Sequence, residues 1–246
     1  MQQAWKCTTV FISFTITLLF MMNGCSNSSS QKESTQEHEA TAVRQKQQKA
    51  ISMTPVFAVI GADISGSYEL LTSKALVICK SLVLNANPGD ELFIRTISDK
   101  SYPPSNAIAH AKFIAVPPVP NRFNKTARRR YARAVRTFQA QKRRLAQKLE
   151  QMTFYPASQT DIYGFIAAAS DLFENAPAEN RKVLMFATDL KDTAGLKCNP
   201  DLSDVEVIVF EFLVDASPIA SQKRRDSWAQ QLKAWGAVKV TIRPAS

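Results

Sequence analysis

The apolar run Pro55-Val56-Phe57-Ala58-Val59-Ile60, leading into Gly61-Ala62-Asp63, most restricts what this chain can fold into. Six residues without polar alternation do not suit a half-solvated sheet; they call for a strand covered on both faces. From Ser67 the period changes, with Leu70, Leu71, Ala75, Ile78 and Leu82 at helical spacing until Asn87-Pro88-Gly89 stops the pattern. Residues 91–97 read as a strand and 112–116 as another, ended by Pro117 and Pro118. A long helical pattern follows over about 124–152. The alternation then repeats, with a helix near 161–175 and strands at 182–188 and 205–213. A helix opened by Ser217-Pro218 and closed by Gly236 comes next, and a last strand at 238–242. Strands alternating with helices predict an α/β domain with a doubly wound, mostly parallel central sheet and helices on both faces. In such sheets ligands bind outside the carboxyl ends of the strands.

The residues ahead of this domain read differently. An apolar stretch over 10–22 ends in Asn23-Gly24-Cys25, and residues 1–24 fit a secretory signal. Gly24 directly before a cysteine resembles the lipobox of bacterial lipoproteins, which implies acylation of Cys25 (palmitate among the acyl groups); an uncleaved anchor is the alternative. Both readings export the domain and hold it at a bacterial cell membrane or outer membrane. Residues 25–51 are rich in Ser, Gln, Glu, Lys and Thr and cannot bury enough apolar surface to fold, so they are expected to form a flexible tether. About 195 residues, 52–246, remain for one mid-sized domain. Of the four cysteines, Cys79 and Cys198 fall in this domain. An exported protein could bridge them, while the apolar setting of Cys79 favours a plain buried thiol.

Three polar clusters fall at strand or helix boundaries on the carboxyl rim. They are Asp63-Ile64-Ser65-Gly66-Ser67 after the first strand, Thr160-Asp161 before a helix, and Thr188-Asp189 after a later strand. Asp-x-Ser-x-Ser, a distant threonine and an aspartate ending a later strand resemble the metal-ion-dependent adhesion site (MIDAS) of von Willebrand A (VWA) domains. The resemblance implies a Rossmann-like fold and a metal site at Asp63, Ser65, Ser67, Thr160 and Asp189. Ser65, Ser67 and Thr160 would bind magnesium (Mg²⁺), or Mn²⁺ or Ca²⁺, directly, and Asp63 and Asp189 often through water. It also implies a protein partner that supplies an acidic side chain as the last ligand. The chemistry is consistent, because a hard dication takes about six oxygen ligands. Read without the resemblance, Asp and Ser at a strand-to-helix turn can simply cap the helix. Where many relatives have Thr-Asp-Gly, this chain has Thr188-Asp189-Leu190, and Asp192 is a spare candidate.

Catalysis finds little material. An aspartate after a first strand also begins haloacid-dehalogenase-type enzymes, but the second acid they need two residues on is Ser65 here. The two histidines, His38 and His110, leave a Ser-His triad or a His-rich zinc site without parts. No glycine-rich phosphate loop is present. The chain therefore reads as a non-enzymatic binding protein.

Residues 122–152 hold eleven basic side chains against one acid, Glu150, a net +10 that equals the charge of the whole chain. The basicity is thus one local feature. Tyr131, Val135, Phe138, Leu145, Leu149 and Met152 give this segment an apolar stripe, and a helix this long is expected to project at one end. Arg128, Arg129, Arg130, Arg133, Arg136, Lys142, Arg143 and Arg144 are the expected surface for an anionic partner, whether lipid headgroups, an envelope polymer or nucleic acid. Nucleic acid is the least favoured, since no recognised binding motif accompanies the charge. A purely solvated face is the bland alternative.

Overall fold

A computed structural model describes residues 54–65, 69–195, 198–211 and 217–244. The signal segment 1–24, Cys25, the tether and Ser67 lie outside the described residues. The elements in chain order are β1 (Val56–Asp63), α1 (Glu69–Asn85), β2 (Glu91–Ile97), β3 (Ala107–Lys112), α2 (Lys125–Glu150), α3 (Ile162–Glu174), β4 (Arg181–Thr188), β5 (Val205–Glu211), α4 (Pro218–Ala234) and β6 (Lys239–Pro244).

The six strands form one sheet in the order β3-β2-β1-β4-β5-β6, parallel throughout except for the antiparallel edge strand β3. The continuous apolar run is therefore the centre of the sheet. Alternate residues of β1 serve opposite faces. Phe57 and Val59 join a core with residues of α3 and α4, and Ala58, Ile60 and Ala62 join a second core with residues of α1 and α2. This is the doubly wound α/β architecture the alternation predicts. Gly61 belongs to the α3 face, where a Cβ would stand 2.6 Å from the Phe165 ring. The missing side chain lets α3 lie directly on the central strand.

The helix ends follow local chemistry. Asn124 caps α2 by accepting from the Ala127 amide at 2.9 Å, and Asp161 caps α3 from Gly164 at 2.7 Å. Ser217 caps α4 with Pro218 in its first turn, and Gly236 follows the helix with a φ of 97°.

Two expectations need correction. The third strand is residues 107–112, not 112–116. Phe113 is buried against Phe138, with ring centroids 5.7 Å apart, and Ile114 and Val116 are partly buried, so this apolar stretch is a covering loop under α2. The true strand escapes notice because it is a sheet edge built largely from alanine, with one face open. Second, Lys142 is not part of an open basic surface. It is buried, donates to the Ala86 carbonyl at 3.1 Å and lies over the Phe138 ring. The plain buried thiol favoured for Cys79 agrees with the structure, where Cys79 and Cys198 are both free thiols. Cys79 sits in the α1–α2 core, and Cys198 donates to the Tyr163 carbonyl of α3 on the other side of the sheet. The sheet itself keeps them apart.

Candidate functional site

Strand order reverses at β1, whose neighbours are β2 on one side and β4 on the other. A crevice at such a switch point opens at the carboxyl ends of the strands, and the last residues of β1 and β4 are Asp63 and Thr188. Asp63 is fully buried. Its Oδ1 accepts from the Ser65 amide at 2.9 Å, and its Oδ2 accepts from the Thr188 hydroxyl at 2.7 Å. Burial pushes the Asp63 carboxyl from 3.8 up to about 6, against hydrogen bonds from the Ser65 amide, the Thr188 hydroxyl and the Ser65 side chain, and the neighbouring charge of Asp189 adds to the rise.

Asp189 is equally buried, at 1% exposure. Its Oδ1 accepts from the Lys191 amide at 2.9 Å, but its Oδ2 has no hydrogen-bond partner. The Lys191 ammonium stands 3.9 Å from that oxygen, beyond hydrogen-bond range. Two buried carboxylates thus share one rim, and one oxygen is left without a donor.

The threonine loop is stitched to the same rim. The Ala157 amide donates to the Ile64 carbonyl at 2.9 Å, and Ser65 and Ala157 form an isolated parallel bridge. The Asp161 amide donates to Ser98 beyond the end of β2, and the Gln159 amide donates to the Asp99 carboxylate at 2.6 Å. Between these ties Thr160 is buried, its amide donating to the Thr193 hydroxyl at 2.8 Å. The fold thereby brings Asp63, Ser65, Thr160 and Asp189 to one end of the sheet.

The other acids nearby have structural work. Asp161 accepts from Gly164 and from the Ser101 amide at 2.8 Å, and a Cβ at Gly164 would stand 2.1 Å from its Oδ2. Asp192, the spare candidate, accepts from the Ile162 and Gly195 amides at 2.8 and 3.2 Å. Neither has a free role at the rim.

Sequence reasoning missed the groups that hold Asp189 in place. Arg224 donates to the Asp189 carbonyl at 3.1 Å, and Trp228 Nε1 donates to the Leu190 carbonyl at 2.9 Å. Both reach over from α4, and nothing in their local pattern signals that reach. Leu190 has a φ of 62°, left-handed backbone that a non-glycine residue adopts at a cost of about 1–2 kcal/mol. Its side chain is 2% exposed, so core burial offsets the backbone cost at the position where the resembling family often has glycine.

No protein-family profile matches the chain, and no curated protein matches it. Among solved structures it is similar to a von Willebrand factor type A protein from Catenulispora acidiphila, at 14% identity and a TM-score of 0.47 over 78% of this chain and 39% of that one. It is also similar to the open conformation of the pilus adhesin SpaC from Lactobacillus rhamnosus GG, at 12% identity and a TM-score of 0.48 over 78% and 28%. A third is an aerotolerance-related membrane protein from Bacteroides fragilis NCTC 9343, at 14% identity and a TM-score of 0.43 over 78% and 92%. The chain spans less than half the length of the first two. At these identities, with TM-scores below 0.5, the functional reading has to come from the site's own residues.

Proposed function

We propose that this chain is a non-enzymatic binding module of the von Willebrand A type that holds a divalent cation at the β1–β4 rim and offers it to a carboxylate of a protein partner. The observation that carries the reading is Asp189 Oδ2, buried without a hydrogen-bond donor beside a second buried carboxylate, Asp63. Like charges so placed repel, and a dication between them would satisfy both. No three His, Cys, Asp or Glu side chains gather in a possible metal site among the described residues. Hydroxyls must therefore complete the shell, and Ser65 and Thr160, with Ser67, are the candidates. Oxygen ligands suit Mg²⁺, Mn²⁺ or Ca²⁺. The ion would supply an electrophilic position for an incoming carboxylate, while Thr188 and the Ser65 amide orient Asp63.

One further observation supports binding over catalysis. His110 lies on edge strand β3 and pairs with Glu91 at 2.8 Å, at the start of β2 and the far end of the sheet from the rim. No helix among the described residues is long and apolar enough to cross a membrane. The lipobox-like Asn23-Gly24-Cys25 supports the further proposal that attachment runs through residues 1–24 and an acylated Cys25, as in an exported lipoprotein.

The deciding experiment is thermal unfolding of the full chain in mild detergent, with EDTA or with millimolar Mg²⁺, Mn²⁺ or Ca²⁺. A site filled to a hundred times its Kd adds about 2.7 kcal/mol. A rise in Tm with one of these ions that Asp189→Ala abolishes is the expected result. No rise with any of the three overturns the reading.

A further inference from the structure

We infer that the loop before α2 and the first half of that helix form a docking surface for an anionic lipid bilayer. Three features meet there. Helix α2 has 26 residues, yet none before Phe138 is buried. Roughly 20 Å of helix, at 1.5 Å per residue, thus stands away from the core. Along it Lys125, Arg129, Arg133 and Arg136 recur at spacings of four, four and three, all exposed, so they make one charged stripe. No acid lies in the first turn, and the positive end of the helix dipole adds to the same field.

The second feature is apolar. Val119 and Phe123 are 79% and 77% exposed at the helix start, and Arg122 lies over the Phe123 ring at 4.7 Å. A surface built only to attract phosphates has no use for large bare apolar side chains. A bilayer interface accommodates both, with arginine at the phosphate level and aromatic or aliphatic groups at the acyl boundary below it. Third, a cleft of about 520 Å³ lies between Val119-Pro120 and the helix, bordered by Lys125, Arg128 and Arg129. It places cations around a space that suits a phosphate headgroup. The inference gains from the reading that the N-terminus holds the chain at a membrane, which would keep the domain in the neighbourhood of lipid.

The test uses the full chain carrying Phe123→Trp, a substitution at an exposed position, with the unsubstituted chain as the background for Trp5, Trp228 and Trp235. The chain is added to vesicles of phosphatidylcholine alone, or with a third phosphatidylglycerol, with and without brominated lipids. Residue 123 is read directly, so attachment through the N-terminus does not mimic the signal. Emission should shift to the blue and be quenched by brominated lipid only in the anionic vesicles. Each basic residue at an anionic leaflet raises partition roughly fivefold, so Arg128→Glu/Arg129→Glu/Arg133→Glu should lower the quenched fraction by more than tenfold. EDTA should leave the quenching unchanged, which separates this surface from the cation rim. Equal spectra in both vesicle types, or quenching that survives the charge reversals, overturns the inference. An equal blue shift produced by inorganic phosphate, duplex DNA or polyglutamate also overturns it.

Discussion

Asp63→Asn should make the cation-free protein more stable, an unusual outcome for a fully buried polar residue. The carboxyl is raised from 3.8 to about 6 by burial and by the charge of Asp189. At 1.36 kcal/mol per unit, the ionised folded form carries a penalty of about 3 kcal/mol. A group whose folded pKa is raised contributes stability fully present below the unfolded pKa of 3.8 and lost as pH rises through about 6. At pH 7.5 the whole penalty therefore applies. Asparagine removes the charge and keeps an oxygen for the Ser65 amide, but its amide nitrogen no longer accepts from the Thr188 hydroxyl, a loss of about 1 kcal/mol. The net gain is about 2 kcal/mol, or about 4–8 °C in Tm for a domain of this size. At pH 4, where the native carboxyl is protonated, the gain should vanish or reverse by about 1 kcal/mol. Calorimetry of both proteins in EDTA across pH 4–8 measures this, and repeating it with Mg²⁺ should raise the Tm of the native chain but not of the variant. A variant less stable than the native chain at pH 7.5, or a difference that does not change with pH, refutes the reasoning.

Leu190→Ala and Leu190→Gly both empty a buried site and should destabilise by about 2–5 kcal/mol. The glycine variant should lose about 1 kcal/mol less, because it adopts the φ of 62° freely; urea titration that ranks alanine as the milder change contradicts a strained backbone there. Gly61→Ala pushes a Cβ to 2.6 Å from the Phe165 ring and should cost about 1–3 kcal/mol, with Phe165→Leu restoring part of it in the double variant. Cys25→Ser should block lipid processing and release the chain from membranes, as fractionation and a gel-mobility shift would report; unchanged processing and retention count against acylation.

Much of the architecture is legible because it is local. The run at 55–60 could only be a doubly covered strand, and it is the central one. Asn124, Asp161 and Ser217 announce their helices because a side-chain acceptor serves an amide three residues on. Strand 91–97 reads cleanly from its apolar content. Strand 107–112 does not, since an alanine-rich edge with one open face carries little apolar signal, while Phe113, Ile114 and Val116 mimic a strand and act as a cover. Lys142 shows the same limit on the basic helix, where its spacing resembles that of its exposed neighbours and only the packing of α2 on the α1 end buries it.

At the rim, the resemblance carried by the order of the polar clusters nominates Asp63, Ser65, Ser67, Thr160 and Asp189, and the clusters can be placed because they fall at the ends of elements whose period can be read along the chain. The tertiary structure decides what those residues meet. Asp63 and Thr188 are 125 positions apart and touch only because β1 and β4 pair in register. The Asp189–Leu190 turn is held by Arg224 and Trp228 from a helix more than thirty residues further on. An oxygen becomes an unpartnered, buried acceptor only when every surrounding group has been placed. Periodicity along a chain reports which side faces inward, and a site's electrostatics depend on the neighbours that distant elements bring to that side.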